Sequence, residues 1–375
     1  MKRRLLAVAA ASGLTLGLAL GGTAAHADPD NTNPGTPPAG KTAAQIYATI
    51  GADAFAELTN NLTVLYNAKT PTPTTVLASY DAVNPNTGVA GEQITTKPGC
   101  SIARPNGANA GINAILLNQK SDATKGGDGT SYCIDWVRAS RGRGTAAGEA
   151  NLTFYAQSRD AVSYAVLGNA YAPTTPLTTA QLKDIFECTT RDWSEVGGQP
   201  GAIHLYLPPD SAATLTFFLQ AIGTTLTNVK AGCAGLPTVF SGQQNDGTSL
   251  KGDPQAILPY AVTKWAAQAN EPLGIKDLRG GAHIGLVNTT TAPTTTSVLN
   301  GKTYQVLNPA FITGTSASFG RFFYNALRND APQELKDIFK AGGYLCQNAN
   351  ALLIPFGNTP LGDDTSQSQY CGKPN

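Results

Sequence analysis

The pattern of hydrophobic and polar positions predicts helices and strands in alternation along most of the chain. Apolar residues recur at helical spacing in four segments, at residues 55–65, 112–116, 319–327 and 335–339. Short apolar runs bounded by turn residues predict strands at residues 133–137, 152–156 and 256–262. Strands that alternate with helices indicate an α/β fold.

The segment from residue 177 to residue 223 predicts a helix, a turn, a strand and a second helix. Thr178 and Gln181 can form a capping box at the start of the first helix, because each side chain can reach the other residue's backbone N–H. Residues 203–207 alternate like a strand. Gly223 is suited to end the second helix, because glycine readily adopts the left-handed conformation found there.

The start of that second helix is a candidate anion site. Asp210 or Ser211 can cap the helix, and Thr214 follows within its first turn. A strand that leads through a hydroxyl-bearing loop into a helix N-terminus brings free backbone N–H groups and the positive end of the helix dipole to one point. Ser211 and Thr214 are therefore the first candidate ligand residues.

The order of motifs in this segment resembles that of the phosphate-type periplasmic binding proteins, the solute-binding family that feeds phosphate importers. The sequence reads LTTAQLKDIF from Leu177, DWSEVGG from Asp192, and then a polar loop before a phenylalanine-rich helix. The family's loop usually reads Gly-Ser-Gly-Thr-Arg, whereas residues 211–215 read Ser-Ala-Ala-Thr-Leu. The resemblance runs from about Tyr47 to Asn350, which is nearly all of the chain after its first segment.

This resemblance implies a two-lobed type II periplasmic-binding-protein fold, with two crossing strands as the hinge and the ligand held between the lobes. It assigns residues 43–158 and 262–375 to the first lobe and residues 159–261 to the second. The chain is expected to cross between the lobes near residues 159–165 and to return at residues 256–262.

The resemblance also implies that the turn after the first strand contacts the ligand. This turn carries Asp53 and Ala54, where the family often has Gly-Ser or Ser-Asp-Thr-Thr. An ordinary helix cap is the alternative role for Asp53.

Two further loops of the first lobe contribute candidate contacts. The RPNG run at residues 104–107 leads into a helix, and Arg104 and Asn106 are candidates because a guanidinium matches two oxygen atoms of an anion. Packing of the glycines is the alternative for this run. Ser140 and Arg141 follow the strand at residues 133–137, where the family contacts its ligand, and a solvated arginine-rich loop is the alternative.

The N-terminal residues predict export. Lys2, Arg3 and Arg4 precede an apolar run over residues 5–20, and residues 25–27 read Ala-His-Ala, so cleavage is expected after residue 27. No cysteine lies near that point, which argues against lipid attachment and indicates a secreted protein whose signal peptide is residues 1–27. Residues 28–42 are rich in proline, asparagine and threonine and are expected to form a flexible leader.

The charge balance argues against several classes of partner and cofactor. The formal charge of the full sequence is +1, and removal of Lys2, Arg3 and Arg4 with the signal leaves about −2. A nearly neutral chain lacks the basic surface by which proteins bind nucleic acid or anionic membranes. His204 and His283 are the histidines that follow the signal, so neither a metal site nor a cofactor is expected.

No catalytic residues are expected, and the chain is not predicted to be an enzyme. A Ser-His-Asp hydrolase would need Ser140 or Ser211 beside a histidine. The nucleophile motif Gly-x-Ser-x-Gly does not occur in the sequence.

The six cysteines indicate disulfide bonds, because an exported chain meets oxidising conditions. The sequence does not fix their connectivity. Sequential pairs, each closing a local loop within one lobe, are the preferred arrangement: Cys100–Cys133, Cys188–Cys233 and Cys346–Cys371.

These features predict an exported, monomeric solute-binding protein that holds a small oxyanion such as phosphate and serves an ABC importer or another cell-surface component. Alanine stands at several positions where the family commonly has serine, threonine or glycine, namely Ala54, Ala108, Ala139, Ala212 and Ala213. Each lost donor to a buried anion costs about 1.5–3 kcal/mol. The alternative is a secreted surface or interaction protein that keeps the fold but has lost phosphate binding.

Overall fold

The computed structural model describes residues 28–29, 32–210, 212–272 and 275–375. The predicted signal peptide, residues 1–27, and the candidate ligand residue Ser211 lie outside the described residues. No helix within these described ranges combines the length and the apolar character that a membrane crossing requires.

The described residues form fourteen strands, which build one large mixed sheet and two small two-stranded sheets. The strands are β1 (Ile46–Gly51), β2 (Val76–Ser79), β3 (Gln93–Lys97), β4 (Cys100–Ala103), β5 (Trp136–Ala139), β6 (Leu152–Leu167), β7 (His204–Leu207), β8 (Val239–Ser241), β9 (Ala256–Ala261), β10 (Ala282–Ile284), β11 (Thr294–Leu299), β12 (Lys302–Leu307), β13 (Gly320–Arg328) and β14 (Thr359–Pro360). The small sheets pair β3 with β4 and β11 with β12.

Nine α-helices accompany these strands in the described part of the chain. They are α1 (Ala56–Asn67), α2 (Ala108–Leu116), α3 (Thr179–Phe186), α4 (Ala213–Ala221), α5 (Leu226–Gly232), α6 (Val262–Asn270), α7 (Gln333–Phe339), α8 (Tyr344–Gln347) and α9 (Ala349–Leu353).

The large sheet extends through both lobes. Its strand order is β2-β1-β5-β13-β6-β9-β7-β8, and β10 and β14 also pair with β6. β1 is parallel to β2 and β5, and β7 is parallel to β8 and β9, so each end of the sheet has the parallel pairing typical of α/β units. The antiparallel strands β6 and β13 join the two ends, which confirms the predicted α/β fold with two crossing strands.

The crossing strands contribute side chains to two separate hydrophobic cores. β6 has sixteen residues, and its Ala156 packs in the first core whereas its Ala161 packs in the second. The chain returns along β13, since Phe319 immediately before it packs in the second core and Phe323 packs in the first. The segment 256–262, where the return was predicted, contains β9, which pairs with β6 and β7, and helix α6 follows it directly.

The cores also divide the chain differently from the expected boundary at residue 262. Val287, Leu307 and Phe311 pack in the second core, because β10 pairs with β6 and directs the following segment against the second lobe. Helix α6 lies at the boundary itself, with Val262 in the second core and Ala267 in the first.

The predicted helix at residues 319–327 is a strand in the structure. The spacing of Phe319, Phe323 and Leu327 suits one face of a helix, but β13 lies between β5 and β6 and most of its residues are buried. A strand that is covered on both faces lacks the alternation by which strands are distinguished from helices in a sequence. The next predicted helix, at residues 335–339, is present as part of α7.

The segment 177–223 folds as predicted except at one helix end. The capping box starts α3, strand β7 follows, and Gly223 lies just beyond α4 with a φ of 74°. The N-cap of α4 is Ala212, and no side chain of the described residues caps this helix. Asp210 was one of two predicted caps, and its side chain pairs instead with Lys230 of α5; the other, Ser211, lies outside the described residues.

The three preferred disulfide bonds are confirmed as Cys100–Cys133, Cys188–Cys233 and Cys346–Cys371. The first and third belong to the first core and the second belongs to the second core, so each closes a loop within one lobe.

The leader that was predicted to be flexible makes specific contacts with the first lobe. The carboxylate of Asp28 is buried against Arg104. The carbonyl group of Gly35 accepts a hydrogen bond of 2.7 Å from the N–H of Thr95 in β3. The composition of the leader does not reveal these contacts, because their partners lie far along the chain.

Candidate functional site

Two adjacent cavities lie in the cleft between the lobes. The large cavity has a volume of about 390 Å³. The second, which we call the hinge cavity because Arg321 of the crossing strand β13 lines it, has a volume of about 140 Å³. Asn106 lines both cavities, and the consecutive residues Ala212 and Ala213 line one each, so the two spaces adjoin.

The N-termini of α2 and α4 line the hinge cavity from opposite lobes. Gly107 and Ala108 contribute at α2, and Ala213 contributes at α4. No side chain of the described residues caps either helix, so the N–H groups of their first turns can donate to an external acceptor. Gly107 has a φ of 100°, a conformation that glycine adopts readily, and the RPNG run enters α2 through it.

Arg321 places a buried guanidinium at the hinge cavity, where the residue is only 7% exposed and forms an ion pair of 2.7 Å with the fully buried Asp160. Its Nε donates to Oδ2 of Asp160 at 2.8 Å, and its guanidinium lies 5.0 Å from the ring of Phe217 on α4. The other carboxylate oxygen of Asp160 accepts a hydrogen bond of 2.6 Å from the hydroxyl of Thr263 on α6. These contacts fix the guanidinium at the point where the two lobes meet.

Ser140 and Arg141 line the same cavity from the loop after β5. Two nitrogen atoms of Arg141 donate to the carboxylate of Glu149 at 2.7 and 2.9 Å, and its Nε donates to Oδ1 of Asn109 at 2.8 Å. The hydrogen bonds from Arg141 hold the pKa of Glu149 below its usual value. Glu149 thereby holds the Arg141 guanidinium beside the first turn of α2.

The large cavity is polar and contains carboxylates. Nε2 of Gln244 in the second lobe donates to Oδ2 of Asp53 in the first lobe at 3.3 Å, which joins the lobes across the cleft. Lys264 forms an ion pair with Glu57. Burial lowers the pKa of Lys264, but the carboxylates of Glu57 and Asp53 outweigh this effect and raise the pKa above its ordinary value. Lys264 therefore stays charged at neutral pH and neutralises Glu57.

Four of the predicted ligand residues come together in the cleft. Asp53 lines the large cavity, Ser140 and Arg141 line the hinge cavity, and Asn106 lines both. Asp53 is not the cap of α1, because it begins a short 3-10 turn whose N-cap is Ala52.

Two predicted ligand residues are buried beside the cleft and line neither cavity. Ala54 is 7% exposed and packs in the first core. Thr214 is completely buried in α4, and its hydroxyl has no hydrogen-bond partner among the described residues.

Arg104 does not lie in the cleft. Its guanidinium forms two hydrogen bonds with the carboxylate of Asp28 and a third, of 3.0 Å, with the carbonyl oxygen of Asp81. Both side chains of the ion pair are fully buried. Arg104 therefore has a structural role in place of the predicted ligand contact, because its guanidinium is already bound to the carboxylate of Asp28.

Several residues that line the cleft were not predicted from the sequence. Arg321 lies within the aromatic segment that was interpreted as a helix, and the strand conformation alone brings it to the hinge. Gln244 and Asn245 belong to a polar run that resembles an ordinary loop. No local pattern marks such residues, because the packing of the two lobes assembles them.

The histidines and cysteines offer no catalytic or metal centre in the described cavities of the cleft. Nδ1 of His204 lies 2.6 Å from Oδ2 of Asp253, and neither residue lines a cavity that contains Ser140. Among the described residues, one group has ligand atoms close enough to hold a metal ion, namely Cys346, Asp363 and Cys371. Its two sulfur atoms are joined as a disulfide and are therefore not available as thiolate ligands.

Comparisons with known proteins identify the fold. No protein-family model and no curated protein matches the sequence. An ABC-type phosphate transport receptor from Vibrio cholerae has a similar structure, with a TM-score of 0.52 and 16% sequence identity over 83% of this chain and 98% of the receptor.

Two further solved structures are similar over comparable lengths. A putative phosphate ABC transporter substrate-binding protein with bound phosphate, from Clostridium perfringens, gives a TM-score of 0.52 and 14% identity over 84% of this chain and all (100%) of that protein. PstS from Borrelia burgdorferi gives a TM-score of 0.50 and 12% identity over 85% of this chain and 99% of PstS. At these identities the similarity shows that the chain has the fold of such receptors.

Proposed function

We propose that this chain is an exported solute-binding protein that holds a small oxyanion in the hinge cavity. The observation that supports the proposal is the convergence of two helix N-termini, one from each lobe, on a cavity lined by Arg321 and Ser140. Backbone N–H groups, a hydroxyl and a guanidinium are the donors that bind phosphate-like anions in proteins.

Contacts within the protein hold the two guanidinium groups in place. Asp160 and Phe217 hold the guanidinium of Arg321, and Glu149 holds that of Arg141. A preorganised site loses little conformational entropy when it binds. Both lobes contribute to the cavity, so a bound anion would stabilise their contact.

Phosphate is the first ligand to test, because the names of the similar receptors describe phosphate transport or phosphate binding. The alanines of the ligand loops weaken the site without abolishing it, since Ala108 and Ala213 lack hydroxyl groups but keep their backbone N–H groups. The proposal includes export after removal of residues 1–27, a monomeric state, and delivery of the ligand to an ABC importer or another cell-surface component.

Isothermal titration calorimetry of the secreted protein with phosphate, sulfate and chloride tests the proposal. We expect saturable binding of phosphate or sulfate, and Arg321→Lys should weaken it by about tenfold or more, because the ammonium group loses the planar hydrogen-bonding geometry of the guanidinium. Arg141→Gln should weaken binding as well. Arg143→Gln is the matched control, because Arg143 belongs to the same loop, is exposed and lines neither cavity.

The absence of binding by a correctly folded protein at millimolar anion would refute the proposal. That result would favour the alternative function, a secreted surface or interaction protein that retains the fold. Circular dichroism and thermal unfolding of each variant show whether a loss of binding reflects a loss of structure.

A further inference from the structure

The cleft is larger than a single oxyanion requires. The hinge cavity has a volume of about 140 Å³, and the adjoining large cavity adds about 390 Å³. The two spaces share Asn106. A ligand whose anionic group lies in the hinge cavity can therefore extend into the large cavity.

The large cavity differs in charge from the hinge cavity. The carboxylates of Asp53, Glu57 and Asp246 line it together with the ammonium groups of Lys264 and Lys276, and Lys264 is paired with Glu57. The carboxylates outnumber the ammonium groups, whereas two helix N-termini line the hinge cavity, so the phosphate-like end of an extended ligand is directed to the hinge cavity and its remaining part to the large one.

The hydrogen-bonding groups of the large cavity include both acceptors and donors. The carboxylate of Asp53 accepts a long hydrogen bond of 3.3 Å from Gln244. The Oδ1 atom of Asn245 accepts the N–H of Ala261 at 2.9 Å, which fixes the orientation of the amide. Its Nδ2 atom is buried and has no acceptor among the described residues.

A hydroxyl group matches this combination. It can donate to the carboxylate of Asp53 and accept from an amide such as that of Gln244 or Asn245, whereas an ammonium group only donates. None of the described residues that line the large cavity is aromatic, so the cavity offers no ring on which a nucleobase would stack.

We propose that the natural ligand is a phosphomonoester of a hydroxyl-rich molecule, such as a sugar phosphate, with its phosphate in the hinge cavity and its hydroxyl groups in the large cavity. This inference rests on the proposed binding of an oxyanion in the hinge cavity.

Calorimetric titrations with inorganic phosphate, glucose 6-phosphate, glucose and phosphoethanolamine test the inference. Glucose 6-phosphate should bind about tenfold or more tightly than inorganic phosphate, because it adds hydrogen bonds to the large cavity. Asp53→Ala and Gln244→Ala should each reduce the affinity for glucose 6-phosphate more than the affinity for phosphate. Arg321→Lys should weaken the binding of both, and Arg143→Gln should change neither.

The outcomes separate this inference from the proposed function. If phosphate binds and glucose 6-phosphate binds no more tightly, the inference is wrong and the oxyanion site stands. If glucose binds as tightly as its phosphate ester, or if phosphoethanolamine binds more tightly than the ester, the inference is also wrong. If none of the four compounds binds, the proposed function fails together with it.

Discussion

Asp28 and Arg104 form an ion pair in which both side chains are completely buried. Two nitrogen atoms of the guanidinium lie 3.1 and 2.8 Å from the two carboxylate oxygens. The backbone N–H of Asp81 donates to the same carboxylate at 2.9 Å. The start of the leader is thereby attached to the loop after β2, whose Val83 lines the large cavity.

Asp28→Asn should lower the free energy of unfolding by about 3 kcal/mol, because the buried guanidinium of Arg104 then keeps only a longer contact of 3.5 Å with the partly exposed carboxylate of Glu92. Urea denaturation of the secreted protein measures the change, and mass spectrometry verifies that the variant has the same N-terminus. Asp277→Asn is the control. Asp277 pairs with Arg279 at a partly exposed position, where the loss should stay below about 1 kcal/mol. Equal effects of the two substitutions would contradict the structural role of Asp28.

Thr214→Val should leave the free energy of unfolding unchanged or raise it by about 1 kcal/mol. The hydroxyl of Thr214 is buried without a partner among the described residues, so its replacement by a methyl group removes an unsatisfied polar atom.

Thr96→Val is the matched comparison, because Thr96 is equally buried but its hydroxyl donates to the carbonyl of Cys133 at 2.7 Å. This second substitution should destabilise the protein by roughly 1–2 kcal/mol. Thermal unfolding measures both changes, and a destabilised Thr214→Val variant would indicate an unrecognised partner for that hydroxyl.

The ion pair of Glu149 with Arg141 should make stability depend on acid pH. Its hydrogen bonds to Arg141 depress the pKa of Glu149 in the folded state, so the stabilisation is complete above the unfolded pKa and is lost as pH falls through the folded pKa. At pH 7 we expect Glu149→Gln to be less stable than the unsubstituted protein by about 1 kcal/mol, since Arg141 is partly exposed. The difference should shrink below about pH 4. Urea denaturation at several pH values tests this, and a difference that is constant from pH 7 to pH 3 would show that Glu149 does not act through its charge.

Arg138 should be essential to the first lobe. Its side chain is fully buried, and it donates to the carbonyl oxygens of Ala52 and Tyr80 at 3.2 and 2.6 Å and to the hydroxyl of Ser79 at 2.8 Å. Arg138→Lys should cost about 2 kcal/mol or more, because a lysine lacks the forked geometry that reaches the ends of both β1 and β2. Denaturant unfolding measures this change.

The neighbouring Arg143 is exposed, so Arg143→Lys should change stability by no more than about 0.5 kcal/mol. The arginine-rich segment that runs from β5 into the following loop thus combines a structural arginine at position 138, a cavity-lining one at 141 and a solvated one at 143. The three arginines cannot be told apart in the sequence, whereas in the structure they differ in burial.

Patterns confined to a few neighbouring residues were read correctly from the sequence. Thr178 and Gln181 predict the start of α3 because a capping box needs only residues three positions apart. Gly223 predicts the end of α4 for a similar local reason. The disulfide pairs span 25 to 45 residues, and their pairing was a preference that the structure confirms, because each pair closes a loop within one lobe.

The sequence by itself determined the α/β class, the helix ends at Thr178 and Gly223 and four residues that line the cleft cavities, and it favoured sequential disulfide pairs without fixing them. Tertiary structure alone decided that residues 320–328 form a crossing strand, that Arg321 reaches the hinge and that Arg104 forms an ion pair with Asp28. The physical reason is the distance along the chain between the residues that interact. Helix caps and turns depend on neighbours within one or two turns of chain, whereas the partner of a buried charge or a central strand is selected by packing between distant segments.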